Sequence, residues 1–270
     1  MTATSPSYHL PLKLMKQWFY VYRQWLQREL QLRFRTSALG QGWLVIQPLA
    51  QIILFTLVFY EFFQVRWPSG DGSVGEYGLQ VFIGLGVYGF VAEVINRSPS
   101  CISSHPYLVT KVRFPLLLLP TVTVGAAATQ MVLSLVIAAA FAMWRQLHIQ
   151  ALLIPLALLP LVIYSQALSW LLSSAGVYLR DIGHLAPSAS SLLLFMTPIF
   201  YPADKVPVGM QWLIQVNPLA WTTETVRGLL MHGQPLAWQG WGAHLLAGFA
   251  LLAFSRWFFV RIQPGFSDVL

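Results

Sequence analysis

Six long apolar runs, separated by short polar stretches rich in proline and glycine, organise this chain. They fall at about residues 43–63, 79–95, 116–144, 151–178, 185–201 and 241–260. In the first run the one ionisable side chain after Trp43 is Glu61. About 20 apolar residues rising 1.5 Å each cross roughly 30 Å of hydrocarbon, so each run predicts a membrane-spanning helix. Residues 1–11 are polar, carry Pro6 and Pro11, and read as a loose tail. Between this tail and the first run, a helical projection sorts the side chains by polarity. Gln17, Gln24, Arg28, Gln31 and Arg35 fall on one side, and Phe19, Tyr22, Leu26 and Leu30 on the other. Such a helix lies in the plane of the interface. Glu29 and Arg33 are spaced i, i+4 on its less polar side, where they can pair; the pair is either a solvated feature of an amphipathic anchor or part of a docking surface for a cytoplasmic partner.

The connections fix the direction of the chain. Arg28, Arg33 and Arg35 crowd the entry to the first run, and Lys and Arg are retained on the cytoplasmic side. The polar stretch 66–77 is then an external loop, 96–114 a cytoplasmic loop, 145–150 an external turn, and Arg180-Asp181 a cytoplasmic turn. With both ends inside, twelve of the sixteen Lys and Arg are cytoplasmic, leaving Arg66, Arg145, Lys205 and Arg227 outside. Trp43, Trp67, Trp144, Trp241 and Trp257 fall near span ends, as interfacial indoles do. The region 201–240 is external yet semi-apolar, with helix-like segments 210–216 and 219–231 on either side of Asn217-Pro218. Each is too short to cross a bilayer, so they read as re-entrant helices, with an ordinary amphipathic loop as the alternative. The expected fold is an all-α membrane protein. It has six transmembrane helices, an N-terminal interfacial amphipathic helix and two short re-entrant helices between spans five and six. Residues 1–42 form the tail and interfacial helix, 43–260 the membrane domain with its external gate region 202–240, and 261–270 a cytoplasmic tail.

Composition agrees: 56% of the 270 residues are hydrophobic and 9% charged, against roughly 25% charged in a soluble domain. The net charge of +7 does not point to nucleic acid, because the cations sit at the ends of apolar runs. The single cysteine, Cys101, allows no intrachain disulfide, and no Cys/His cluster has metal-ligand spacing. No cleavable signal sequence is expected at the N-terminus. Gly84, Gly86 and Gly89 match G-x-G-x-x-G literally, but within an apolar run they read as small residues that let helices approach closely rather than as a dinucleotide site. Glu93 lies four residues before Arg97 and is expected to pair with it at the interface. There is no phosphate-binding loop of the G-x-x-x-x-G-K-S/T type and no acidic relay for proton coupling. From these features alone the chain is a six-span translocation subunit or channel, energised elsewhere if at all.

Short motifs then carry a resemblance. Arg28-Glu29-Leu30, Arg33-Phe34-Arg35, Ser37-Ala38-Leu39-Gly40 and residues 43–48 resemble the entry of type-2 ABC exporter permeases. The closest likeness is to those moving lipid-linked O-antigen, capsule or teichoic acid chains. Leu108-Val109-Thr110-Lys111-Val112-Arg113-Phe114-Pro115 is similar to the family's inner loop before span three, and Tyr178-Leu179-Arg180-Asp181-Ile182 to its turn before span five. Thr197-Pro198-Ile199-Phe200-Tyr201-Pro202, Val206-Pro207 and Asn217-Pro218-Leu219 with Glu224 and Arg227 resemble its outer gate region, and Gln263-Pro264-Gly265-Phe266-Ser267-Asp268 its ending. Leu116 and Leu117 replace charged or polar residues common after the loop proline, and Gln263 stands where an acid is frequent.

The resemblance implies a non-catalytic subunit of an ATP-driven exporter in the inner (plasma) membrane, with both termini cytoplasmic. It implies a homodimer joined by two copies of a separate cytoplasmic ABC ATPase, which carries ATP and Mg; this chain itself needs no cofactor and no metal. Glu29, Arg33, Arg35, His105, Tyr107, Lys111 and Arg113 are the implied ATPase-coupling residues, and Arg180 and Asp181 brace the inner turn. Phe200, Tyr201, Trp221, Glu224 and Arg227 line or support the external gate. The substrate expected is a lipid-linked polysaccharide, whose hydroxyls meet polar groups and whose C–H faces meet aromatic rings, within a surrounding of membrane lipid. A type-2 exporter of small hydrophobic drugs is the alternative, and an energy-independent channel or scaffold a third.

Overall fold

The computed structural model describes residues 12–34, 40–62, 64, 67, 73–111, 114–145 and 148–270. Among these there are helices and short connections and no strand. The chain begins with α1 (Leu12–Phe34), followed by α2 (Trp43–Thr56), which continues as a π-helical stretch, Leu57–Phe62. Next come α3 (Val74–Arg97), the five-residue α4 (Pro106–Thr110), α5 (Leu118–Arg145) and α6 (Ile154–Tyr178). The short helices α8 (Gln211–Val216) and α9 (Pro218–Met231) lie between α7 (Asp181–Met196) and α10 (Trp238–Ile262) in the chain, and α11 (Phe266–Val269) follows α10.

Among the described residues four stretches are long and apolar enough to cross a bilayer: Val74–Ser100, Leu118–Met143, Ile149–Tyr178 and Trp238–Val269. They do not share lipid equally. The apolar core of the first is 72% buried within the protein, that of the last 17%. So α3 is the central post, with α2, α5, α7 and α9 packed around it, and α10 is a peripheral helix laid along α6. The α3–α5 seam carries the main apolar core, including Val87, Phe90, Val94, Ala127, Met131 and Ala138. At one end of the bundle a second cluster joins α4, α6, α10 and α11 through Leu108, Val177, Phe259 and Phe266. The last residues, expected as a tail, are therefore folded in, with the Phe266 ring fully buried against Phe259 and Tyr178.

Local chemistry sets the boundaries and moves two of them from where the hydrophobic pattern put them. The second span starts at Val74 rather than Leu79, because Ser73 caps it: its Oγ accepts from the Glu76 N–H at 3.3 Å. Glu76 and Tyr77, expected in the external loop, are thus helical and buried. The fifth apolar run does not stay helical to Tyr201. Pro198 disfavours helical backbone at Thr197, which is extended at φ −105°, ψ 136°, and α7 stops at Met196. Its 16 residues reach about 24 Å, short of a full crossing. The break at Asn217 was legible: its Oδ1 accepts from Leu219 N–H at 3.0 Å, and Pro218 fills the first helical position of α9. Gly233 ends α9 at φ +60°, letting Gln234 N–H reach back to Gly228 O at 2.9 Å.

The three glycines of the decoy motif divide. A Cβ on Gly84 would meet Arg227 Nη2 at 2.8 Å, and one on Gly86 would meet Ser134 Cβ at 3.0 Å, so both are close-approach points, as expected. Gly89 differs, since nothing lies within 4 Å of its Cβ position. It faces open space.

Candidate functional site

The site around Arg227, at the end of the bundle away from α1, is built on a break in the backbone. Where α7 ends at Met196 and the chain turns through residues 197–201, carbonyls that a continuing helix would have paired are left without helical partners. Buried carbonyls must find donors. Arg227, from the middle of α9, supplies them: Nη1 donates to Pro198 O at 2.6 Å and Nη2 to Ile199 O at 2.9 Å. Nε and Nη2 also donate to Gln80 O on α3, at 3.0 and 2.9 Å. The fifth bond runs from Nη1 to Glu224 Oε1 at 2.6 Å, one turn back on the same helix. All five guanidinium donors are used, and the side chain is 2% exposed.

A cation so enclosed needs more than carbonyl dipoles. Glu224 supplies the compensating charge while keeping a third of its side chain exposed, and the Trp67 ring stands 4.8 Å from the guanidinium carbon. Gly84, on α3 one turn beyond Gln80, leaves the room in which the guanidinium lies. Tyr77 donates its hydroxyl to Phe200 O at 3.0 Å, and the Phe200 ring stacks on Phe59 of the π-helical stretch at 4.5 Å. Four segments are thereby tied together: α9, the outer half of α3, the turn after α7, and the end of the α2 helix.

The five residues expected at the gate therefore part company. Phe200, Glu224 and Arg227 belong to the knot. Tyr201 stands beside it, half-buried, its hydroxyl donating to Phe195 O at 2.8 Å. Trp221 points to the other side of α9, where it packs on His244 at 5.0 Å and joins the cluster of Leu229, Leu236 and Trp241. Trp67, Tyr77, Gln80 and Gly84 complete the knot; the sequence marked Gly84 only as a close-approach residue and none of the four as a partner of Arg227. Trp67 was expected as an interfacial indole but is buried over Arg227.

At the α1 end lies the second group. Arg97, at the end of α3, donates to Glu93 at 3.2 Å, as the i, i+4 spacing suggested, and also pairs with Glu29 of α1. Glu29 thus has a partner on α3; the Arg33 side chain lies outside the described residues, as do Arg35 and Arg113 entirely. The face of α1 turned to the protein contains Tyr22, Trp25, Leu26, Glu29 and Leu30, so most of the expected apolar side turns inward, while Phe19 of that side is 67% exposed. Trp25 is the anchor missed from sequence: its ring sits 5.6 Å from His105 and 5.4 Å from Phe114. His105 precedes α4, where Leu108 is buried while Tyr107 and Lys111 are exposed. Arg180 and Asp181 are both exposed at the start of α7. The arrangement joins α1, the α4 loop and the end of α3, with Tyr107 and Lys111 presented outward. Among the described residues no group of three or more His, Cys, Asp or Glu is placed to hold a metal.

The knot makes a direct prediction. Arg227→Lys keeps the charge but not five donors in a plane, so buried carbonyls are left without partners, and the variant loses about 3 kcal/mol or more. Gly84→Ala acts on the same contact from the other side and costs about 1–3 kcal/mol. Thermal unfolding of purified protein reads both. His232, which follows α9, gives a pH prediction. Burial holds its pKa below the ordinary value, His148 lowers it further, and Glu224 acts weakly against them. The unfolded chain therefore binds this proton more readily than the folded one, so stability is full above about pH 6.5 and falls below it. His232→Gln flattens that acid limb.

Comparison with known proteins places these features. The family model described as ABC-2 type transporter matches residues 20–231. The chain is 30% identical over 218 residues to the O-antigen export system permease protein RfbA of Myxococcus xanthus, covering 77% of this chain and 80% of that protein. It is 24% identical over 246 residues to an O-antigen export system permease protein RfbA of Klebsiella pneumoniae, covering 90% and 92%. The matched region contains Glu29, Arg97, His105 and Tyr107 and the whole Arg227 knot, and the chain belongs to the ABC-2 type transporter family.

Proposed function

We propose that this chain is the membrane permease of an ATP-driven exporter that moves a lipid-linked polysaccharide from the cytoplasmic to the outer face of the inner membrane. The observation that carries the substrate class is the similarity, over most of both chains, to permeases named for O-antigen export. The geometry supports the permease role: bilayer-length helices surround a central post that ends in a paired, half-exposed charge cluster beside α1 and in an arginine knot at the other end.

In this reading the chain spans six times with both termini cytoplasmic. The first crossing is α2 with its π-helical extension. The fifth is α7, completed by the turn that Arg227 holds, and α8 and α9 are re-entrant from outside. A full crossing by α7 is unnecessary if its outer end meets re-entrant protein rather than water. A separate ATPase docks on α1 and the α4 loop, its motion reaching α3 through Glu29 and Arg97 and through Trp25 against His105 and Phe114. The chain acts as a homodimer. The exposed apolar side chains of α2 and α7, among them Ile53, Leu54, Leu192 and Phe195, support a partner copy there.

Cells lacking this chain should accumulate polymer on the cytoplasmic side, and the chain with its ATPase should restore surface polymer. The purified chain alone should hydrolyse no ATP. Efflux of dyes or drugs with unchanged polymer display would sink the reading. For the topology, Tyr107→Cys and Trp212→Cys in a Cys101→Ser background should react with impermeant maleimide from the inside and the outside respectively. Labelling of both from one face contradicts it.

A further inference from the structure

α10 carries two arginines on the side turned away from the protein. Ala253, Arg256, Trp257, Val260, Arg261 and Pro264 follow one another at the spacing of a single helix face, are all exposed, and line a shallow groove of about 680 Å³. The opposite side packs on the bundle, where Phe259 is buried with Phe266 and with Val177 of α6. Neither the Arg256 nor the Arg261 guanidinium has a hydrogen-bond or ion-pair partner among the described residues. No acidic side chain lines the groove.

The setting of Arg256 calls for a physical account. Arg261 lies in the last turn of α10, where a cation meets the negative end of the helix dipole. Arg256 lies nearly two turns earlier, beyond the reach of that effect, in a helix whose apolar stretch is 17% buried within the protein. The retention of cations at one membrane face accounts for an arginine past the end of a span, not for one inside it. A guanidinium facing hydrocarbon is costly unless it reaches the interface and finds a partner there. The Arg256 arm can run along Val260, one turn nearer the end, to the level of Arg261. There both guanidiniums meet the layer of lipid phosphates, and the fork of each matches phosphate oxygens two at a time. Trp257 offers a flat apolar face to the glycerol backbone and stands 5.9 Å from Phe254, one turn deeper, where an acyl chain continues. With two cations and no acid in its lining, the groove suits a head group of net negative charge, whereas the ammonium of a zwitterionic one finds no partner in it.

We propose that this face of α10 is a binding site for an anionic phospholipid, with the phosphate held between Arg256 and Arg261 and an acyl chain along Ala253, Phe254 and Trp257. The occupant is a lipid of the surrounding leaflet and not the exported molecule, and the surface is not that of α2 or α7, where a partner copy is placed. The site requires that α10 crosses a bilayer, as its length and apolarity allow. It depends neither on which side of the membrane the end of α10 reaches nor on what is exported.

The test places the full chain in phosphatidylcholine nanodiscs holding a trace of phosphatidylglycerol with a diazirine in one acyl chain. After illumination, label should concentrate on the peptide containing Phe254 and Trp257. Unlabelled phosphatidylglycerol should displace it, whereas phosphatidylethanolamine at the same mole fraction and inorganic phosphate in the buffer should not. Arg256→Gln and Arg261→Gln should each lower labelling about fivefold, and together about 25-fold. Both side chains are exposed, so these changes leave the packed core untouched. Arg256→Lys with Arg261→Lys keeps both charges and should keep most of the labelling. Arg23→Gln, which removes an exposed cation of α1 instead, should leave it unchanged. Equal displacement by phosphatidylethanolamine would mean an ordinary boundary lipid, and displacement by inorganic phosphate a site for a soluble anion. Displacement by polyprenyl phosphate at a lower mole fraction than phosphatidylglycerol would mean a site for a lipid carrier. Any of these results, or labelling unchanged in the double glutamine variant, overturns the proposal.

Discussion

Five hydrogen bonds from one buried guanidinium hold the end of this molecule away from α1 in shape. Four of these bonds run not to side chains but to backbone oxygens from two separate segments, residue 80 in α3 and residues 198 and 199 in the turn after α7. That distinction has a consequence. A side-chain pair can be replaced by an apolar pair of similar size, often at little cost, but backbone carbonyls cannot be removed from the chain. Once Pro198 breaks the helix, donors have to come from elsewhere, and a guanidinium with five N–H groups in one plane is the side chain that reaches several carbonyls at once.

The two ends of α3 are treated differently, and the difference suits a part that transmits motion. At its outer end α3 gives a backbone oxygen to Arg227 and packs Tyr77 against Phe200 and Trp67, all buried. At the other end Arg97 meets Glu29 and Glu93 with 40%, 26% and 21% of those side chains exposed. Half-hydrated ion pairs are weak and re-form in new geometries, whereas a fully desolvated cluster resists any change. In the export reading, α1 and the α4 loop are therefore able to shift while the outer turn keeps its form.

Much of this fold was legible in the sequence because lipid imposes a simple rule: runs of about 20 apolar residues become helices. The stretches around residues 79–95, 116–144, 151–178 and 241–260 follow it. The N-terminal helix was also legible, and Tyr22, Leu26 and Leu30 of its apolar side turn inward; that Trp25 joins them while Phe19 does not was hidden, since an amphipathic pattern does not separate lipid from protein as the apolar neighbour. Phe19 and Trp25 are equally apolar, and only Trp25 has His105 and Phe114 to pack against. Of the outer site, Phe200, Glu224 and Arg227 were found through motifs. Trp67 and Gln80 were missed as partners of Arg227, and Gly84 was read as a close-approach residue without its partner, because these roles depend on contacts more than 140 residues away in sequence, and Gln80 contributes only its carbonyl. The Ser73 cap could have been read from the S-x-x-E pattern at residues 73–76.

The central claim is that Arg227 immobilises the turn after α7 and the short helices beside it. Hydrogen–deuterium exchange on purified wild-type protein and Arg227→Lys measures this most directly, through the amides of residues 199–201 and of α9. The account predicts strong protection in the wild type and its loss in the variant, confined to those segments and the outer half of α3. Exchange in residues 199–201 and α9 that is the same in both proteins would contradict it.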